Sequence, residues 1–470
     1  MSIGRLRLPD RKTMATAPEL LASYSEVFDR LQKHATGREP AWLQRLRENG
    51  HARFSEAGFP TTRDEDWRFT NVNAIARTPF RIASSERPKF ATHTIEPFLA
   101  AKSACLLVFV NGYYSPEHSK LDGLAAGLEV HPLAELLARD PQRVERHLGS
   151  YADLRRDPFT ALNTALWKDG AYVHIRRRAV IDEPIHLLYV STGADEAVMT
   201  HPRTLVVAES ESQAAVVESY VSTGEDTAFC NSVTELVAGE GSNIAHCMIE
   251  QENRQSYNVS TLRLQQARDS HVASHSLLLG GALVRNNVHP VLAGEGAECL
   301  INGLFIGGGR QHLDNFMLVE HASPNCSSRQ FYNGILDGQS RGVFHGRIIV
   351  HKDAQKTDAK QTNRNLLLSD DARIDTKPQL EIYADDVKCT HGATIGQLDE
   401  NSLFYLRARG FDETMARRML LHAFAKECLD RVAQPGVRGF LGDLIQSRLL
   451  DVAQSTGRSS KAAANEGQEA

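Results

Sequence analysis

Between Cys105 and Tyr383 the chain repeats one local grammar: a short apolar run, a tight polar or glycine-bearing turn, then another apolar run. The turns at 208–212 (AESES), 238–242 (AGEGS) and 293–297 (AGEGA) are the clearest, and 369–372 (SDDA) closes the series. Apolar segments flank each of them, as LVV precedes AESES and AAVVESY follows it. Runs of Val, Leu, Ile and Tyr bounded by Gly, Asp, Asn and Ser read as strands. The first three turns start 30 and 55 residues apart, so the period is irregular. No helix long enough for a βαβ crossover is visible between them. The region also far exceeds the ~100 residues of one sandwich module. A β-solenoid, in which successive coils bury one another, suits this pattern better than a sandwich.

The flanks carry helical spacing instead. Leu20, Leu21, Tyr24, Val27, Phe28 and Leu31, then Trp42, Leu43 and Leu46 after Pro40, predict a small N-terminal helical domain. After Thr394, Asp399 caps a segment that ends at Gly410, and Asp412 caps the next. In that second helix Ala416, Met419, Leu420, Ala423, Phe424, Cys428 and Val432 form an apolar stripe, widened by Leu421, Ala425 and Leu429 beyond the needs of one contact. The expected organisation is a mainly β protein: residues 1–98 helical domain and linker, 99–394 β-helix core, 395–455 C-terminal helical domain, 456–470 disordered tail.

Composition excludes several function classes. A net charge of −5 over 470 residues offers no general attraction to nucleic acid. The run Arg176, Arg177, Arg178 reads as a solvated strand end. Seven scattered cysteines with no CxxC argue against a disulfide framework or a self-contained zinc site. No apolar window approaches a membrane span and no signal-peptide pattern follows Met1, so a cytoplasmic protein is expected, with Met14 an alternative start.

Chemistry concentrates in YADDVKCTHGAT at 383–394, where Cys389 and His391 stand two residues apart. On a strand, i and i+2 share a face, so sulfur and imidazole lie side by side. These ligand types suit iron, zinc and iron-sulfur clusters, but two of them do not complete a tetrahedral site. An ordinary thiol beside a corner histidine is the plainer meaning of the spacing alone. His271 with His275, and His345 with His351, read as decoration of strands, and Asn363 with Asn365 as a stacked amide ladder. No P-loop, GxSxG or HExxH is present, so the chain is not expected to be an enzyme.

The stretches TTRDEDWRFTNV, VFVNG, FTALNTALWKDG and KPQLEIYADDVKCTHGATIGQLDENSLFYLRARGFDETMARRMLLHAFAKECLD together resemble the SufD branch of the SufB/SufD family, scaffolds of iron-sulfur cluster assembly. The resemblance implies a right-handed parallel β-helix between helical ends, pairing with SufB through the β-helix and binding of the ATPase SufC through the C-terminal helices. It implies a role for His391 at the SufB interface beside a transient cluster, with Cys389 as its companion and no cofactor held by the chain alone. Phe404, Arg409, Met415, Met419, Leu420 and Phe424 are the residues expected at the SufC contact, and a homodimer is conceivable without partners. Two rivals stand beside this reading: a purely structural SufB-stabilising subunit, and a β-helix carbohydrate-active enzyme.

Overall fold

The structure, a computed structural model, describes residues 17–35, 39–83, 90–100, 102–193 and 196–466. Its body is a β-solenoid of about 7 turns. One sheet runs through Arg203–Ala208, Ala228–Ala238, Tyr257–Gln266, Leu283–Leu292, His312–His321, Arg341–Val350 and Arg373–Ile382. The other runs through Ile185–Ser191, Gln213–Ser222, Asn243–Gln251, His271–Leu278, Glu298–Gly307, Ser327–Leu336, Thr357–Leu367 and Val387–Gly396. The chain alternates between the sheets, and each strand pairs in parallel with the strand one coil later, as Phe331 does with Thr362. Alternation along each strand sends one row inward, where Phe305, Phe344, Ile348 and Val350 build the core between the sheets.

The coils turn at a corner whose backbone repeats more strictly than its sequence. Glu211, Gly241, Asp269, Gly296, Asn325 and Lys356 all have positive φ there, at intervals of 27 to 31 residues. The N–H of each donates to the next coil, from Glu211 N to Glu240 O (2.8 Å) through to Lys356 N to Asp386 O (2.6 Å). The apparent 55-residue gap therefore contains one further turn, at Asp269.

Before the regular coils the chain is more helical than its sequence pattern suggests. Leu133–Arg139 and Pro158–Leu166 are helices inside the segment read as strand-dominated. Asp157 caps the second by accepting from the Phe159 N–H, and Pro158 fills its first turn. Residues 159–166 are buried all round, which removes the amphipathic period that would reveal the helix. Helix Ala41–Ala57 lies on it so closely that a Cβ on Gly50 would come 2.9 Å from Ala161 O. The stretch TTRDEDWRFTNV clips this cap to the solenoid: Arg285 lies 3.8 Å over the Trp67 ring and 2.5 Å from Asp314, which also accepts from Thr70 Oγ1.

At the other end, helices Glu400–Ala408, Glu413–Leu429 and Pro435–Glu466 follow the last strand. The last helix crosses most of the segment expected to be disordered. Its Ala, Lys and Glu content favours the helix even without an apolar face. The start Met14 and the end 467–470 lie outside the described residues.

Candidate functional site

The two strands of the last coil, Arg373–Ile382 and Val387–Gly396, each pair on one side only. In the strand beneath, Ala359, Gln361, Asn363 and Asn365 are buried and form the inward row. The register Ala359 to Cys389 and Gln361 to His391 places both candidate ligands on that same inward row. No coil covers them, so Cys389 is half-buried and His391 is exposed. Gln361, directly below His391, is held by its amide on Gln330 Oε1 at 2.8 Å. Burial raises the Cys389 thiol above its ordinary range, opposed by its hydrogen bond with the Ala359 backbone and reinforced by nearby Asp358. The thiol therefore keeps its proton near neutrality.

The rest of the row explains why the end is open. Ile382 and Ile395 occupy inward positions that are buried in every earlier regular coil, yet they are 40% and 52% exposed, and Tyr383 beside them is 63% exposed. An apolar row with no strand above it is an unsatisfied edge and an unsatisfied core at once. Sequence reasoning passed over these three residues; the signal was an alternating strand at 387–396 followed by a helix instead of another turn.

Among the described residues no group of three or more His, Cys, Asp or Glu side chains is placed to hold a metal ion. Cys389 and His391 offer one sulfur and one nitrogen on a shared face, so any iron or cluster bound there draws its other ligands from elsewhere. The remaining cysteines, 105, 230, 247, 299, 326 and 428, are buried. His271 pairs with Glu298 at 3.2 Å, His275 lies buried against Asn302, His345 bonds Gln379 at 2.7 Å and His351 faces Glu320. Asn365 donates to Asn363 Oδ1 at 2.7 Å inside the solenoid.

The residues expected at a helical contact separate into two groups. Phe404 (74% exposed), Met415 and Met419 face outward, with Tyr405 and Phe411, which the sequence reading did not single out. Arg409 is exposed and stacks 4.5 Å over Tyr405, and Leu420 is half-buried. Phe424 corrects the expectation. Its side chain is buried with Leu421, Ala425, Cys428 and Leu429 against Leu304, Phe331 and Ile335 on the outer face of the solenoid. The surplus width of the stripe is the helix's seat on its own β-core. Arg364 reinforces that seat with a 2.5 Å ion pair to Glu427 and its guanidinium 5.4 Å over the Phe424 ring.

These features define a class: a β-solenoid with helical domains at both ends and an open terminal coil that presents a cysteine and a histidine on one face. Residues 189–424 match the SUF system FeS cluster assembly SufBD core domain, and residues 19–187 match the SufBD protein N-terminal region. The chain is 32% identical to an iron-sulfur cluster assembly SufBD family protein of Synechocystis sp., covering 89% of this chain and 94% of that one. It is 30% identical to the iron-sulfur cluster assembly protein SufD of Escherichia coli over 90% and 96% of the two chains, and 25% identical to SufD of Bacillus subtilis over 92% and 97%. The chain belongs to the SufBD family of iron-sulfur cluster assembly proteins and is SufD-like. No helix among its described residues is long and apolar enough to cross a membrane.

Proposed function

We propose that this chain is a non-catalytic scaffold that lends His391, with Cys389 beside it, to an iron-sulfur cluster under construction whose other ligands come from a SufB-type partner docked on the open coil. The observation that carries the reading is the position of His391: it sits on the inward row of the last strand and is exposed. A partner that continued the solenoid would cover Ile382, Tyr383 and Ile395 and bring its own side chains to the same row. A site that is complete only in the complex ties cluster construction to assembly. The exposed Phe404, Met415 and Met419 supply a second, separate docking face, suited to a SufC-type ATPase. The setting is cytoplasmic on this reading.

The test is His391→Ala in the reconstituted complex, with iron and acid-labile sulfide measured per complex. Intact assembly with cluster content reduced severalfold is expected. Cluster content equal to the unaltered complex would return the chain to a purely structural role.

A further inference from the structure

A pocket of about 710 Å³ opens between the first helix and the strand Arg81–Ile82, far in sequence from the last coil. This volume falls in the range of small-molecule sites. Val27, Leu31, Phe80 and Met199 give it apolar walls. Lys168 and Tyr113 line both the pocket and a small adjoining lobe of about 10 Å³, enough for one water-sized group, where Asn111 and His201 also lie. Two stretches with no role so far, VFVNGYY and WKDG, thus meet at one place.

The polar groups here are unsatisfied in one sense only. Lys168 is half-buried and has no acid partner among the described residues; its ammonium lies 5.8 Å from the Tyr113 ring, and burial together with the Arg47 charge lowers its pKa. His201 is 5% exposed. Its Nδ1 lies 3.2 Å from the Asn231 amide nitrogen, which also donates to Phe159 O. Nδ1 is therefore the acceptor, and the ring proton sits on Nε2, which has no partner among the described residues. Burial keeps that ring neutral, with its pKa down to about 3. The buried Tyr24 hydroxyl is also without a partner among the described residues. Of the cations at the rim, Arg81 is neutralised by Glu196 at 2.8 Å and Arg30 stands one helical turn from Glu26. The lining is mixed, with the charges of Glu26, Arg30 and Arg81 at the rim and apolar walls further in; deeper in, the unmet donors of Lys168 and His201 favour an acceptor that carries negative charge.

We propose that this pocket binds a small organic anion, a carboxylate or phosphate ester on an apolar body, with Lys168 meeting the charge and His201 Nε2 donating to an oxygen in the inner lobe. The experiment is ligand-observed ¹⁹F NMR on the full chain with 4-fluorophenylacetate, 4-fluorophenyl phosphate and the neutral 4-fluorophenethyl alcohol, and with inorganic phosphate as competitor. At least one aryl anion should bind about tenfold or more tightly than the alcohol, and Lys168→Met should remove that preference. The two anions against each other distinguish carboxylate from phosphate. Equal binding of alcohol and anions, no binding of either anion at millimolar concentration, full displacement by equimolar inorganic phosphate, or an unchanged preference in a folded Lys168→Met would each overturn the assignment. Should that variant not fold, the anion-to-alcohol ratio on the unaltered protein decides.

Discussion

Asn333 reaches from the outer face of the solenoid to the carbonyl of Phe424, 2.9 Å away, and Asn302 on the adjacent coil does the same for the carbonyl of Cys428 at 3.0 Å. Helix Glu413–Leu429 is thus keyed to two neighbouring coils through its backbone as well as its side chains. Phe424→Asp would place a carboxylate in this seat, where the nearby Arg364 is already paired with Glu427, at a cost of about 3 kcal/mol or more. Met419→Asp, on the outward face, should stay within about 0.5 kcal/mol of the parent. Denaturant midpoints of the two variants check this, and similar midpoints would contradict the buried placement of Phe424.

The open coil makes a separable prediction. Ile395→Lys puts a charge in an apolar row that the chain itself does not cover. It should leave the unfolding midpoint nearly unchanged while weakening association with a SufB-type partner at least about tenfold. Size-exclusion chromatography of mixed subunits reads the outcome, and undiminished association would remove the last coil as the docking edge.

Cysteine accessibility offers a simple chemical readout. Six cysteines are buried and Cys389 is half-buried, with a raised thiol pKa. Iodoacetamide under native conditions should label one site, Cys389, slowly near pH 7 and faster as pH rises. Peptide mass spectrometry showing equal labelling elsewhere would count against the fold around the labelled residue.

Stability should fall on mild acidification. Burial lowers His186, His275, His312 and His321 to about 4 and His201 to about 3. A histidine depressed in the folded state contributes stability above its unfolded pKa near 6.5, and that stability is lost as pH falls toward 4, by roughly 3 kcal/mol each at most. Glu250 and Glu252 act in the opposite direction: their buried carboxyls are raised, Glu252 to about 7, so their contribution is full below about 4.5 and lost as pH rises. Five histidines outweigh one coupled pair, so the urea midpoint at pH 5 should lie below that at pH 7. An equal or higher midpoint at pH 5 would reverse this ranking.

At the N-terminal clip, Asp314→Ala would strand the Arg285 guanidinium, which is 2% exposed between Trp67 and Phe316. Removing one partner of such a pair costs about 3–5 kcal/mol. Limited proteolysis should then cut first within residues 39–83, and an unchanged cleavage pattern would show that the clip does not hold the cap.

The solenoid was legible because its strands are long and its corners polar, but its period was blurred. Glu, Gly, Asp, Gly, Asn and Lys serve in turn at the same positive-φ corner, so no single residue marks it. Helix Pro158–Leu166 was hidden by burial on every side, and Phe424 was misplaced because an apolar stripe does not say which neighbour covers it. Cys389 and His391 could be placed on one face from spacing alone. That this face turns inward at an uncovered end depends on register with Ala359 and Gln361, which only the fold supplies.

Parallel strands lie about 4.8 Å apart. A partner strand laid along Val387–Gly396 would therefore hold its own inward side chains one strand spacing from His391. On the proposed reading, the pitch of the β-ladder itself would be the gauge that sets how far His391 stands from the ligands a partner brings.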